Sequence, residues 1–255
     1  MNTPAPWPKP TLTAREPSSA HRHFHFHWYA GLAMAAGAVT VAVLVVLHVI
    51  LADEVRINVD PVSVYAINTE GVLLFDLACM AFAVACVAVL FGHVRFEPVP
   101  RWCLAGSAVA LVLVVGFDTD AGMTVSTVGG YVHRYAAGVV FVLVTVATVH
   151  MWRRLSGTGL GRTLGILSLG NIVLLFLNVT GTYLPDVANG GQWRGIPQRL
   201  LLLTLVVSIV LLAFVPRPRR RRHALDSPGD PRHGKVWLTG RGSTGRGALP
   251  SADGL

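Results

Sequence analysis

The sequence predicts an all-α polytopic membrane protein, a bundle of six transmembrane helices, and three observations carry that expectation. Apolar residues make up 53% of the 255 and charged residues only 13%, about half the charged share of an ordinary soluble domain. Six apolar runs approach or exceed the length needed to cross roughly 30 Å of hydrocarbon at about 1.5 Å per residue; they cover residues 29 to 52, 71 to 91, 102 to 117, 135 to 152, 164 to 184 and 197 to 215. The formal charge of +8 lies outside these runs, because residues 29 to 215 hold nine basic and nine acidic groups. A neutral, apolar body excludes a basic nucleic-acid-binding core, so no nucleic acid is expected as a partner.

The first run contains AVTVAVLVVLHVI at 38 to 50, which lacks the solvated face that a helix on a soluble core must keep. Its many valines are compatible with strands, but a membrane strand is about ten residues long and alternates apolar with polar. These runs do neither, and lipid admits only segments that satisfy their own backbone hydrogen bonds. The second run opens after Gly71 and carries Asp76 five residues on, roughly 7.5 Å into the helix. The third spans 16 residues, about 24 Å, which draws its end, FDTD with Asp118 and Asp120, toward the outer surface. The fourth opens with GGYVHRYAAG, setting His133 and Arg134 at that same level. The fifth carries Asn178 six residues before Leu184, with Asn171 a heptad earlier on nearly the same face. The sixth opens with GIPQRLLL, where Pro197 suits a first helical turn and Gln198 and Arg199 follow.

Orientation follows from the basic residues beside the spans. With the N-terminus inside, thirteen Lys and Arg between Lys9 and Arg222 fall on the cytoplasmic side and four, Arg56, Arg134, Arg194 and Arg199, fall outside. The positive-inside rule therefore predicts a plasma-membrane protein with both termini cytoplasmic. Residues 1 to 28 and 216 to 255 are rich in Pro with Ser/Thr or Gly and read as disordered arms around the 29 to 215 domain. In the second arm Arg217, Arg219, Arg220, Arg221 and Arg222 are expected to meet anionic lipid headgroups, at about 1 kcal/mol per basic residue. A cleavable signal peptide is not expected, since the first run starts only after 28 residues and exceeds an h-region. In HRHFHFHW, His21, His23, His25 and His27 alternate; extended, they would share a face that could chelate a metal or titrate near pH 6.5. Beside Phe24, Phe26, Trp28 and Tyr29 the plainer reading is an interfacial belt. Cys79, Cys86 and Cys103 all lie within runs and read as small packing residues.

A charge at the centre of a membrane helix costs about 2.5 to 3.5 kcal/mol, so polar groups in the spans should face one another or a cavity. Asp76, Asp118, Asp120, His133, Arg134, Asn178, Gln198 and Arg199 fall at one depth and form the candidate ligand-binding cluster. The leading reading is an outer pocket for a lipid headgroup or small polar solute, in a non-enzymatic, transporter-like or lipid-binding protein that needs no cofactor. Asp76, Asp118 and His133 would set hydrogen bonding, and Arg134 and Arg199 would meet an anionic group. A purely structural scaffold would instead pair Asp76 with Arg134 or Arg199. A metal-dependent hydrolase would gather His48, Asp76, Asp118, Asp120 and His133, although no HExxH spacing supports it. A haem carrier is disfavoured because His133 and His150 lie about 260° apart around one helix.

The residues of this cluster also carry a resemblance. SVYAINTEGVLLFDLACMAFAVA (63 to 85), GFDTDAGMTVSTVGGYVHRYAAGVVF (116 to 141) and GIPQRLLL (195 to 202) resemble, in that order, segments of the domain-of-unknown-function 998 family of bacterial multi-pass membrane proteins, over about residues 30 to 215. The family pattern falls on Tyr65, Gly71, Asp118 to Asp120, His133, Gln198 and Arg199. Val72 stands where an aromatic residue often follows the glycine, and FDTD lacks a proline often found before the threonine. The resemblance implies integral membrane location and no known activity.

Overall fold

The computed structural model describes residues 19–92, 97–121, 125–184 and 192–215. Among these the regular structure is all helical: α1 (Ser19–Ile50), a short 3-10 turn (Val62–Ala66), α2 (Val72–Gly92), α3 (Pro98–Gly116), α4 (Val128–Arg154), α5 (Gly159–Tyr183) and α6 (Gly195–Leu212). All six long helices contain a stretch with the length and hydropathy of a membrane span, from 18 residues in α6 to 27 in α4. The chain is a multi-pass membrane protein. The Arg217 to Arg222 cluster and most of the two expected arms lie outside the described residues.

Several helices begin earlier than their apolar runs, because the first turn of a helix is built from capping groups rather than hydrophobicity. Glu97 occupies the N-cap of α3 and Pro98 its first turn, where a missing N–H costs nothing. The Thr127 hydroxyl accepts from Gly130 N–H at 3.0 Å and opens α4 seven residues ahead of 135. Thr158 does the same for Gly161 at 2.9 Å and opens α5, just after Gly157 turns the chain with φ 99°. Helix α1 already runs from Ser19, within the stretch expected to be disordered. Alternate residues of a helix are about 200° apart, so the register positions of His21, His23, His25 and His27 fall on two sides, not on one face.

The helices pack in chain order as a ring that α6 closes onto α1, and α6 also touches α2, α4 and the 3-10 turn. Small residues let α1 and α2 approach closely: Ala33 and Ala36 meet the side on which Ala78, Ala85 and Ala88 are buried. There the Thr40 hydroxyl donates to Ala36 O at 3.0 Å and Ala78 O at 3.3 Å. Leu201, Leu205, Ile209 and Leu212 form the fully buried stripe of α6, at the spacing of one helical face. Leu73 and Ile166, by contrast, are 78% and 75% exposed, which suits a face meant for lipid. One end of the bundle carries the long connections 51–71, 117–127 and 184–194, and the other the short ones, 93–97 and 155–158. At the short-loop end Glu97 binds both His150 Nε2, at 2.6 Å, and Arg154.

Candidate functional site

The long-loop end is organised first by Asp120. Its Oδ2 accepts from the Ser126 and Thr127 amides at 2.8 and 3.0 Å, and its Oδ1 accepts from the Thr127 hydroxyl at 2.7 Å. The carboxylate thus sits at the N-terminus of α4, where the helix dipole favours negative charge. The bonds from the Thr127 amide, the Ser126 amide and the Thr127 hydroxyl hold it below the usual carboxylate range. A depressed folded pKa stabilises the fold above the unfolded value of about 3.9, and that gain is lost as pH falls through the folded value. Asp120→Ala should therefore lower the thermal midpoint at pH 6 and reduce its further drop on acidification below about pH 4. Scanning both proteins in detergent across that range tests this, and parallel acid limbs would refute it.

His133 lies in the second turn of α4 and is only 3% exposed. A carbonyl cannot donate, so the 3.0 Å contact to Phe117 O places a proton on Nδ1. The ring stacks on Phe75 of α2 at 6.1 Å between centroids, and its buried Nε2 has no hydrogen-bond partner. Asp76, next to Phe75, is half-buried and within electrostatic reach of Asp118 and His133. It forms no salt bridge among the described residues. Asp118 itself is exposed.

Arg199 belongs to a different cluster. Its Nε donates to His48 Nε2 at 2.7 Å, and His48 Nδ1 in turn donates to Leu44 O at 2.6 Å. Nη1 donates to Ile57 O, Asp60 O and Gly195 O at 3.0, 2.6 and 3.1 Å, and Nη2 to the Tyr65 hydroxyl at 3.4 Å. One guanidinium thereby ties the 51–71 connection to α1 and α6. Gln198 lies one residue, about 100°, around the helix and accepts from Val62 N–H at 3.0 Å. Arg194 is 7% exposed and donates from Nε to Val59 O at 3.1 Å. Burial, then the Arg134 charge, pull its pKa down, while Asp60 opposes them.

Between these clusters lies a cavity of about 460 Å³ around the long-loop half of α4. Its polar wall is made by Asp120, His133, Arg134, Asn178, Arg194 and Gln198, and its apolar wall by Leu111, Val114, Val142, Leu143 and Leu202. Five of the eight residues singled out in the sequence therefore share one cavity. Asp76 and Asp118 do not line it, and Arg199 is turned away to His48. A family model described as Protein of unknown function (DUF998) matches residues 11–215. The chain belongs to this family. No curated protein and no solved structure matches the chain.

Within this DUF998 member, the ligand set imagined for a metal-dependent hydrolase is dispersed. His48 is engaged by Arg199 and Leu44, and the Asp120 oxygens by Ser126 and Thr127. Among the described residues no three His, Cys, Asp or Glu side chains gather closely enough to hold an ion. Sequence reasoning missed Arg194 and the His48–Arg199 pair. Arg194 had one usable signal, as one of only four basic residues on the predicted outer side.

Proposed function

We propose that the protein is a non-enzymatic membrane component that binds an amphipathic, lipid-like molecule in the α4 cavity. The observation that carries this reading is the cavity's polarity: ionisable and amide groups collect at the long-loop end, and the remaining wall is apolar. That wall includes Tyr135, Val139 and Val142, which are 61%, 45% and 46% exposed, so the cavity communicates sideways with the lipid phase. A small polar solute would gain nothing from the apolar half, whereas a headgroup attached to a chain uses both. Positive-inside counting supports an outer-leaflet position in the plasma membrane, with both termini cytoplasmic. In that orientation Arg217 and Arg219 to Arg222 would meet anionic headgroups of the inner leaflet.

Gly138 offers the test. It lines the cavity, and a Cβ built there meets nothing within 4 Å, so the side chain of Gly138→Leu starts into open space rather than against a neighbour. Native mass spectrometry of gently extracted protein should show a lipid adduct on the wild type that is largely lost from Gly138→Leu, at an unchanged thermal midpoint. An adduct equally abundant on both proteins, or absent from the wild type, would overturn the reading.

A further inference from the structure

Two uncharged side chains of the cavity wall have polar atoms left to satisfy. The α5 residues that line it, Leu175, Asn178, Val179, Thr182 and Tyr183, follow the three-and-four spacing of a single helical face. Asn178 belongs to the inner side of α5. Asn171, a heptad earlier and within about 20° around the helix, is fully buried and donates to Ser208 Oγ of α6 at 3.3 Å. The Asn178 carboxamide, by contrast, makes no hydrogen bond among the described residues. It is half-buried rather than sealed, since the only enclosed side-chain atoms without a partner among those residues are His133 Nε2 and Asn171 Oδ1. Gln198 of α6 is half satisfied. Its Oε1 accepts from Val62 N–H at 3.0 Å, which fixes the orientation of the amide and leaves the Nε2 hydrogens unpaired and unsealed in a residue that lines the cavity.

The two carboxamides stand at one level. Helices α5 and α6 run antiparallel, with Asn171 against Ser208 toward one end and Gly181 against Arg194 toward the other; between these contacts the register sets Asn178 beside the turn that carries Gln198. That level is about 7.5 Å inside the end of α5 at Tyr183. It is deeper than the loop-borne Asp120 and than Arg194, whereas Val142 and Leu143 of the apolar wall lie about four turns into α4. Neutral N–H donors at the boundary between a polar mouth and an apolar wall call for a neutral acceptor. In a glycerolipid that boundary is occupied by the ester carbonyls, between headgroup and acyl chains. A hydrocarbon segment at this level would strip the amides of water and return nothing. We infer that the cavity recognises the ester linkage of a diacyl lipid, with the Asn178 and Gln198 amides donating to its carbonyl oxygens. This rests on the amphiphile-binding reading and assigns the part of the molecule that is gripped.

Diacyl and dialkyl-ether lipids with the same headgroup and chain length isolate this contact, because they differ only in the two carbonyls. Delipidated full-length protein is titrated in native mass spectrometry with both forms of phosphatidylglycerol and of phosphatidylethanolamine. For the headgroup that binds, the ester form should be retained roughly tenfold more strongly than the ether form, the scale of one good hydrogen bond. Asn178→Leu keeps the size of a side chain that bonds to no other described residue, and it should cut the ester preference several-fold while leaving retention of the ether form unchanged. Equal retention of ester and ether forms by the wild type, a comparison that needs no variant to fold, overturns the ester assignment and leaves the amphiphile reading standing. So does an ester preference that survives undiminished in Asn178→Leu. Retention of none of the four lipids overturns the amphiphile reading itself.

Discussion

Arg199→Ala is expected to be among the most destabilising single changes in the protein, with the damage centred on the 51–71 connection. The guanidinium supplies donors to His48, Ile57, Asp60, Gly195 and Tyr65, and lies 5.7 Å from the Tyr65 ring centroid. A hydrogen bond from a charged donor is worth about 1.5 to 3 kcal/mol. Bonds sharing one side chain are not additive and Arg199 is only half-buried, so the expected loss is about 3 kcal/mol in all. The deletion leaves His48 Nε2 and two loop carbonyls without their donor. Arg199→Lys should not restore stability, because an ammonium cannot span ring nitrogen, carbonyls and phenol as a planar fork does. Thermal midpoints in detergent give the magnitude, and limited proteolysis locates the loosening between residues 51 and 71. A midpoint equal to the wild type, or cleavage confined to other loops, would show that this guanidinium is not the fastening of the long-loop end.

The contrast between Arg199 and Gln198 shows how far the sequence can be read. Both were assigned to the start of α6, because position along a helix follows from counting residues at a fixed rise. Azimuth does not follow, since the side of α6 that faces a cavity depends on which helices pack around it. A step of about 100° sends Gln198 to the cavity and Arg199 to His48. The six spans were legible for the opposite reason, that lipid imposes one simple demand on every residue of a crossing segment. Helix starts escaped the same logic. The apolar run begins at 135, yet Asp120 accepts from the Ser126 and Thr127 amides and Thr127 from the Gly130 amide, and α4 starts at Val128. Arg194 sits just before α6, where no helical phase exists to place it. The unpaired Nε2 of His133 depends on Phe117 and Phe75 arriving from two other helices, and no local pattern encodes that meeting.

Gly71→Ala should couple the loop cluster to the cavity. A Cβ at Gly71 would stand 2.3 Å from Tyr65 O and 2.9 Å from Leu51 Cδ1, and the first of these is backbone that cannot rotate aside. Tyr65 cannot retreat, since it is 1% exposed and lies beside His48 and Arg199. The start of α2 must therefore move instead. Gly71 O accepts from Phe75 N–H at 2.8 Å, so that movement passes within one turn to the ring stacked on His133. Overpacking of this kind costs about 1 to 3 kcal/mol and sometimes more, and the upper end is expected where backbone meets backbone. Gly170→Ala in α5 is the matched control, because a Cβ there meets nothing within 4 Å; it should leave the midpoint unchanged or slightly raised. Gly71→Ala should lower both the thermal midpoint and the amount of lipid carried by the purified protein, even though Gly71 itself does not line the cavity. If it loses stability but keeps its full lipid complement, the Tyr65–Gly71–Phe75 path does not reach His133, and the two clusters of the long-loop end work independently.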